Sequence, residues 1–310
     1  MHIHTLKQWQ HSHDFADESA GPESSTLKVL VLTAVMMVVE IGAGIAFGSM
    51  ALLADGWHMA THVAAFGITL FAYRYARKHA SDPRYSFGTG KVSVLGGFAS
   101  AVALAVVALV MALESVMRMF EPHAIQFNEA IFIAAIGLAV NLLSGLLLSA
   151  HHHHDHHEHE PGHHQDHNLR AAYFHVLADA MTSLFAIVAL VAGKYFGWTW
   201  LDPVMGVVGA AVIARWAYGL MRDSGHILLD GVADARVEAE IRKAVESDAD
   251  NRVVDLHVWQ IGPRHYSVSL SLVTHHPEQP QHYKSLLAHI PRIAHVIVET
   301  NRCEGAPCLQ

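Results

Sequence analysis

The stretch DGWHMATHVAAF, residues 55–66, places His58 and His62 four residues apart within an otherwise apolar segment. Residues at positions i and i+4 lie on the same face of an α-helix. Ionisable side chains are costly inside a bilayer, and those that occur there usually serve a function. The stretch therefore predicts a membrane helix that carries two histidines for a specific purpose.

The composition favours a polytopic membrane protein. Of the 310 residues, 52% are hydrophobic and only 15% are charged, and the mean hydropathy is positive. An ordinary soluble domain carries a larger charged fraction. The formal charge of −8 counts all 27 histidines as neutral, so the charge says little about binding partners. Separately, we expect no nucleic-acid partner.

Neither the cysteines nor the N-terminus predicts a secreted protein. The two cysteines, Cys303 and Cys308, lie at the end of the chain and cannot form a disulfide framework for the whole fold. The first 15 residues lack the apolar core and cleavage site of a signal peptide, so we expect no removable targeting segment.

Six apolar runs, each about as long as a bilayer-spanning helix, predict six transmembrane helices. They cover approximately residues 28–48, 51–74, 92–117, 128–150, 170–194 and 201–221. The loop between the second and third runs is rich in lysine and arginine. The positive-inside rule therefore places this loop, both termini and the loop 151–167 in the cytoplasm.

Hydropathy falls from about residue 225, and the pattern becomes that of a small soluble domain. Helical spacing is followed by two alternating strand patterns, a second helix and a third strand, which predicts an α+β domain of order αββαβ, ferredoxin-like in type. We therefore expect a histidine-containing cytoplasmic segment 1–26, an all-α six-span membrane domain 27–224 and a cytoplasmic domain 225–310.

The fifth apolar run contains a ligand pair with the same spacing as the second, because HVLAD places His175 and Asp179 four residues apart. On facing helices, the two pairs would supply three imidazoles and one carboxylate, a complete tetrahedral set for a divalent transition metal. Either pair alone could form an interhelical hydrogen bond instead. Two pairs at matched spacing favour the metal site.

Four other polar residues in the apolar runs have structural interpretations. Glu40 and Asn141 could line a transport path, but we favour hydrogen bonds to neighbouring helices for both. Asp55 lies near the start of the second run, where it would complement the helix dipole. Asp202 precedes Pro203 and is typical of an N-cap before a first-turn proline.

The tract HHHHDHHEHEPGHHQDH, residues 151–167, contains ten histidines and four acidic residues. Such a composition predicts a metal-binding segment, and imidazole suits zinc, copper, nickel and cobalt. Its internal position and its carboxylates argue against an expression tag. The candidate ligands at its start are His151, His152, His153, His154, His156 and His157.

An ordered set of motifs covers most of the chain from about residue 25. The motifs are GSMALLADGWHMATH (48–62), RYSFGTGK (84–91), HVLADAMTS (175–183), WLDP (200–203) and VVDLHVWQIGP (253–263). Together with six runs and a histidine-rich loop after the fourth, they resemble the cation diffusion facilitator family.

The resemblance implies a homodimeric secondary transporter in the lipid bilayer, with no enzymatic activity and no obligatory cofactor. It would export divalent metal from the cytoplasm in exchange for protons by alternating access. Carried over to this chain, the transport ligands are His58, His62, His175 and Asp179. Zinc exporters of the family usually have aspartate where this chain has His62. The HMATH variant is similar to the DmeF-like branch, which is associated with cobalt and also with nickel or zinc.

The resemblance also implies metal binding in the cytoplasmic domain, although Leu270 stands where many members have a strand histidine. Candidate ligands are His257, His265, His275, His276, His295, Glu299, Cys303 and Cys308. Surface histidines on a dimerisation domain are an equally weighted alternative. His79 and Asp82 could form a minor site, but we favour ordinary loop residues.

Three rival functions explain the ligand pairs less well. A passive channel needs weak, easily vacated sites, which a tetrahedral nitrogen-rich set would not provide. A catalytic zinc keeps an open coordination position, whereas four protein ligands are available here. A metal sensor would need an output domain, and no such signature follows the apolar runs.

Overall fold

The computed structural model describes residues 24–79, 82–151, 165–232, 234–262 and 265–305. Within these ranges, the side chains of residues 24–29, 66, 69, 73, 145–151 and 165–179 are not described. The predicted N-terminal segment 1–26 therefore lies almost wholly outside the described residues. So do Cys308 and all but the ends of the histidine tract, and the side chains of His175 and Asp179 are not described.

Each of the six apolar runs corresponds to a long helix in the described residues. The helices are α1 (Ser24–Phe47), α2 (Met50–Lys78), α3 (Val92–Phe120), α4 (Phe127–His151), α5 (Gln165–Phe196) and α6 (Leu201–Leu228). Several extend beyond the apolar runs, because the hydrogen bonds of a helix do not require apolar side chains. Thus α6 continues to Leu228, where Asp230 adopts a left-handed conformation and the Gly231 amide returns to the His226 carbonyl.

Four helices in the described part are long and apolar enough to cross a membrane. Their apolar segments are Leu30–Phe47, Val92–Phe120, Phe127–Ser144 and Leu201–Leu228, and α5 contributes the shorter apolar segment Ala180–Phe196. Helix α2 contains Asp55, two histidines and a basic last turn, which lower its hydropathy. A helical membrane domain is therefore confirmed, while the count of six crossings stays a prediction.

The membrane helices pack through small residues. One buried cluster joins α1, α2, α4 and α5 and contains Ala43, Leu52, Ala130, Ala134 and Leu190. A second joins α2, α3 and α6 and contains Ala54, Ala108, Met111, Ala210 and Ile213. Because small side chains allow helix backbones to approach closely, α2 is held on both sides.

The C-terminal domain has the predicted order αββαβ. It consists of α7 (Ala235–Glu246), β1 (Arg252–Gly262), β2 (His265–Thr274), α8 (Pro280–Leu286) and β3 (Ile293–Arg302). The sheet order is β1-β2-β3, with β1 antiparallel and β3 parallel to β2. Leu270 of β2 is buried in the core beside Ile241 and Tyr283, so this strand position is used for packing.

Within the described residues, the contacts divide the chain into two units. One unit comprises residues 24–68 and 99–221, and the other comprises residues 69–98 and 222–305. The second unit includes the ion pair between Lys91 and Asp230. The predicted division at residues 224 and 225 stays a prediction.

Candidate metal centre

The histidine pair lies on one face of α2, as the spacing predicted. The ring centroids of His58 and His62 are 5.1 Å apart, and the two ring planes are perpendicular. His58 is buried and His62 is half-buried. One helical turn separates the residues, so both imidazoles can be presented to the same small ligand.

An aromatic residue that the sequence did not single out packs against this pair. The Trp216 ring of α6 lies 4.9 Å from the His58 ring and 6.4 Å from the His62 ring, measured between centroids. Nothing in the sequence around Trp216 indicates this contact, because it depends on how α6 packs against α2.

Asp55 does not have the role expected from its position. It is the sixth residue of α2, beyond the first turn, and it is 2% exposed. The Thr182 hydroxyl of α5 donates a hydrogen bond to Asp55 Oδ1 at 3.1 Å. The dipole interpretation was wrong because α2 begins early enough to carry Asp55 into its second turn, where it contacts α5.

Asp202 has a structural role, but it caps α2 and not α6, the helix in which it lies. Helix α6 begins at Leu201, so Asp202 lies in its first turn. Its carboxylate accepts hydrogen bonds from the Ser49 hydroxyl at 2.6 Å and from the backbone amides of Met50 at 2.7 Å and Ala51 at 3.1 Å. These amides are orphan donors at the N-terminus of α2. Asp202 therefore anchors the helix that carries the histidine pair.

The expectation for Asn141 is confirmed, whereas the one for Glu40 is not. Asn141 Nδ2 of α4 donates to Ser183 Oγ of α5 at 3.2 Å, which is an interhelical hydrogen bond. Glu40 is fully buried, yet neither of its carboxylate oxygens has a hydrogen-bond partner among the described side chains.

The cytoplasmic candidates lie at separate places in the described part of the C-terminal domain. His257 Nε2 is 3.1 Å from Asp255 Oδ2, between two exposed side chains of β1, whereas His295 packs edge-to-face against Phe87. Cys303 is half-buried and forms no disulfide. Among the side chains that the structure describes, no three His, Cys, Asp or Glu residues converge as a potential metal site.

The loop candidates His79 and Asp82 have other interactions. His79 stacks on Tyr75 at 4.2 Å, and its Nδ1 lies 3.0 Å from the Tyr75 carbonyl. Side-chain hydrogen bonds from Arg84 are the main cause that lowers the pKa of Asp82 from 3.8 to about 2. This arrangement favours ordinary loop residues over a minor metal site.

Comparison with known proteins identifies the family. Residues 27–229 match the model described as the cation efflux transmembrane domain. The chain is 30% identical over 311 residues to the zinc transporter ZitB of Escherichia coli strain K12, covering 96% of this chain and 95% of that protein. It is 30% identical over 257 residues to the cadmium, cobalt and zinc/H(+)-K(+) antiporter of Bacillus velezensis, covering 81% and 77% respectively.

A further relative aligns over almost the whole chain. The cation efflux system protein CzcD of Alcaligenes sp. strain CT14 is 29% identical over 307 residues, which cover 97% of this chain and 91% of that protein. The family consists of transporters rather than enzymes. Since the family domain spans most of its length, the chain belongs to the cation efflux family, the cation diffusion facilitators.

Proposed function

We propose that this protein exports divalent transition-metal cations from the cytoplasm in exchange for protons, by alternating access. Its metal site is formed by His58, His62, His175 and Asp179. Zinc and cobalt are the main proposed substrates, since both occur in the names of relatives and both accept imidazole ligands. Nickel is a third, and we propose no cofactor besides the transported ion.

The contact between Asp55 of α2 and Thr182 of α5 carries this proposal. His58 and His62 follow Asp55 by three and seven residues, and Asp179 and His175 precede Thr182 by the same intervals. If α2 and α5 run in opposite directions across the bilayer, equal intervals bring residues to equal depths, about 4.5 and 10.5 Å from the contact. The spacing also puts His175, Asp179 and Thr182 on one face of α5.

The chemistry of the proposed ligands couples proton binding to metal release. Imidazole must be deprotonated to bind metal, so protons and metal compete for the same nitrogens. A site open to a near-neutral cytoplasm would load metal, and a site open to a more acidic exterior would release it. Asp179 supplies a negative charge that offsets part of the desolvation cost of the ion.

The topology and assembly belong to the same proposal. We propose that α2 and α5 cross the bilayer with the four apolar helices, giving six spans in a bacterial inner membrane with both termini in the cytoplasm. The domain limits 1–26, 27–224 and 225–310 and the homodimer are also proposed. The histidine tract collects cytoplasmic metal, and His257, His295, Cys303 and Cys308 remain predicted auxiliary ligands.

Metal flux into sealed proteoliposomes with an imposed pH gradient tests the proposal. Cobalt, zinc and nickel are compared for the wild type, His175→Ala and His62→Asp. We expect gradient-driven flux in the wild type and a fall of about tenfold or more in His175→Ala, because losing even a group that supports a metal ligand costs at least that much. We expect His62→Asp to shift the preference towards zinc.

His123→Ala is the matched control, because His123 is an exposed histidine near the Glu121 carbonyl and lies in the loop before α4. Its flux should equal that of the wild type. Metal flux that does not depend on the pH gradient would identify a channel. Tight metal binding without flux would identify a sensor. Unchanged metal flux in His175→Ala would show that His175 is not a ligand of the transported metal.

A further inference from the structure

A glutamate in α1 occupies a closed, apolar position between neighbouring helices. Glu40 is 0% exposed. A Cβ atom added to Gly137 of α4 would lie 1.8 Å from Glu40 Oε1, and one added to Gly56 of α2 would lie 3.2 Å from Glu40 Cβ. The carboxyl group therefore fills space that exists because α4 carries glycine at position 137, and the Glu40 Cβ lies close to Gly56 of α2. The same Gly137 position lies 3.5 Å from the Met36 methyl group.

The surroundings of Glu40 do not compensate a negative charge. Neither carboxylate oxygen has a hydrogen-bond partner among the described side chains. From α2, the titratable group whose charge acts on Glu40 is Asp55, which is itself acidic. From α4, Gly137 faces it, and glycine offers no side-chain donor. A buried carboxylate with an acidic neighbour and no donor is strongly unfavourable, so the group requires a positively charged occupant.

A proton fits this position better than a metal ion does. A divalent metal needs several ligands around it, whereas Gly137, which faces the Glu40 carboxyl group, carries no ligand side chain. The contact with Gly137 also leaves no room for an ion and its coordinated waters on that side. A proton needs neither additional ligands nor additional space.

We infer that Glu40 is a proton-binding site of the exchange cycle, separate from the metal ligands. The step is the reversible protonation of one carboxyl oxygen: the exterior supplies the proton, and the cytoplasm receives it. The charged form requires hydration, which the closed packing of α1 against α2 and α4 excludes. The protonation state of Glu40 is therefore linked to helix separation. This inference rests on the proposed metal–proton exchange.

Proton and metal fluxes measured together in proteoliposomes test the inference. The full chain is compared with Glu40→Gln, which keeps the shape but cannot bind the proton, and with Glu40→Asp, which keeps a carboxyl group. We expect Glu40→Gln to retain metal binding while the number of protons exchanged per metal ion falls by about one. Glu40→Asp should retain proton exchange. Infrared spectra of the wild type should contain a protonated carboxyl band that Glu40→Gln lacks.

Glu129→Gln is the matched control, because Glu129 is an exposed glutamate in the first turn of α4. It should leave the proton-to-metal ratio unchanged. If Glu40→Gln cannot be reconstituted, Glu40→Met supplies an apolar side chain of similar length for the same measurement.

The outcomes separate this inference from the proposed function. A wild type that moves metal without protons would overturn proton exchange itself. The second outcome is that the wild type exchanges protons, while Glu40→Gln has the same proton-to-metal ratio and the same protonated carboxyl band as the wild type. This result would overturn only the role of Glu40. Loss of metal binding in Glu40→Gln would also overturn it, because Glu40 would then act on the metal.

Discussion

At the residue scale, spacing predicted the histidine pair but not its surroundings. His58 and His62 share a face of α2 because the helical period requires it. The Trp216 ring beside them and the Thr182 hydroxyl on Asp55 both come from other helices. A period within one helix carries no information about which residue of another helix lies opposite.

Asp250, outside the membrane helices, is an acidic residue whose two carboxylate oxygens both have close polar contacts. The Thr274 hydroxyl donates to it at 2.6 Å, and His275 Nδ1 lies 2.5 Å from its second oxygen. These interactions, the Thr274 bond first, hold the pKa of Asp250 below its ordinary value of 3.8. A lowered pKa in the folded state means that the carboxylate stabilises the fold above about pH 4, and that this stabilisation is lost as the pH falls further.

We therefore predict that acidification from pH 5 to pH 3 speeds backbone amide exchange at the end of β2 in the wild type. In Asp250→Asn, exchange should already be faster at pH 5, and it should rise less on acidification. Hydrogen–deuterium exchange of residues 271–276, corrected for the intrinsic pH dependence of exchange, measures this. Asp255→Asn, at an exposed carboxylate of β1, is the control. Equal acid responses in the wild type and Asp250→Asn would contradict the prediction.

At the element scale, the N-terminus of α2 is held by a residue from α6. Asp202 accepts from Ser49, Met50 and Ala51, and the Ser49 hydroxyl in turn accepts from the Leu52 amide at 3.1 Å. The sequence motif WLDP indicated a cap, and the residue is one. However, the capped helix lies more than 150 positions away in the sequence, so local reasoning assigned it to the adjacent helix.

We predict that Asp202→Ala destabilises the protein by about 2 kcal/mol, because it leaves buried amide and hydroxyl donors without acceptors. Metal affinity should also fall, since the anchored end of α2 carries His58 two turns later. Thermal unfolding in detergent and metal titration measure the two effects. Ser49→Ala removes a single hydroxyl and should cost less; an equal or larger loss in Ser49→Ala would contradict the assignment of Asp202 as the main anchor.

At the scale of the whole molecule, the proposed metal site joins two helices that are distant in the chain. A ligand that binds only the folded state stabilises it, by about 2.7 kcal/mol at a concentration 100 times its dissociation constant. Metal bound between α2 and α5 should therefore stabilise the whole membrane domain, whereas metal bound to the histidine tract alone should not.

We predict that zinc or cobalt raises the unfolding temperature of the intact chain and that His58→Ala loses most of this shift. A variant with serine in place of the histidines of 151–167 should keep it. The measurement is thermal unfolding at matched metal concentrations, with His123→Ala as a histidine control. Loss of the shift in the tract variant alone would place the stabilising site in the tract.

The sequence by itself determined the helical membrane domain, the αββαβ order of the C-terminal domain, the histidine pair and the family. These features depend on hydropathy, on local periodicity and on motifs that can be read along one segment. Helix packing alone decided that Asp202 caps α2, that Asp55 contacts α5, that Trp216 packs against the histidine pair and that Glu40 is enclosed beside Gly137. Each of these contacts joins residues far apart in sequence, and only the close approach of complementary helix surfaces brings them together.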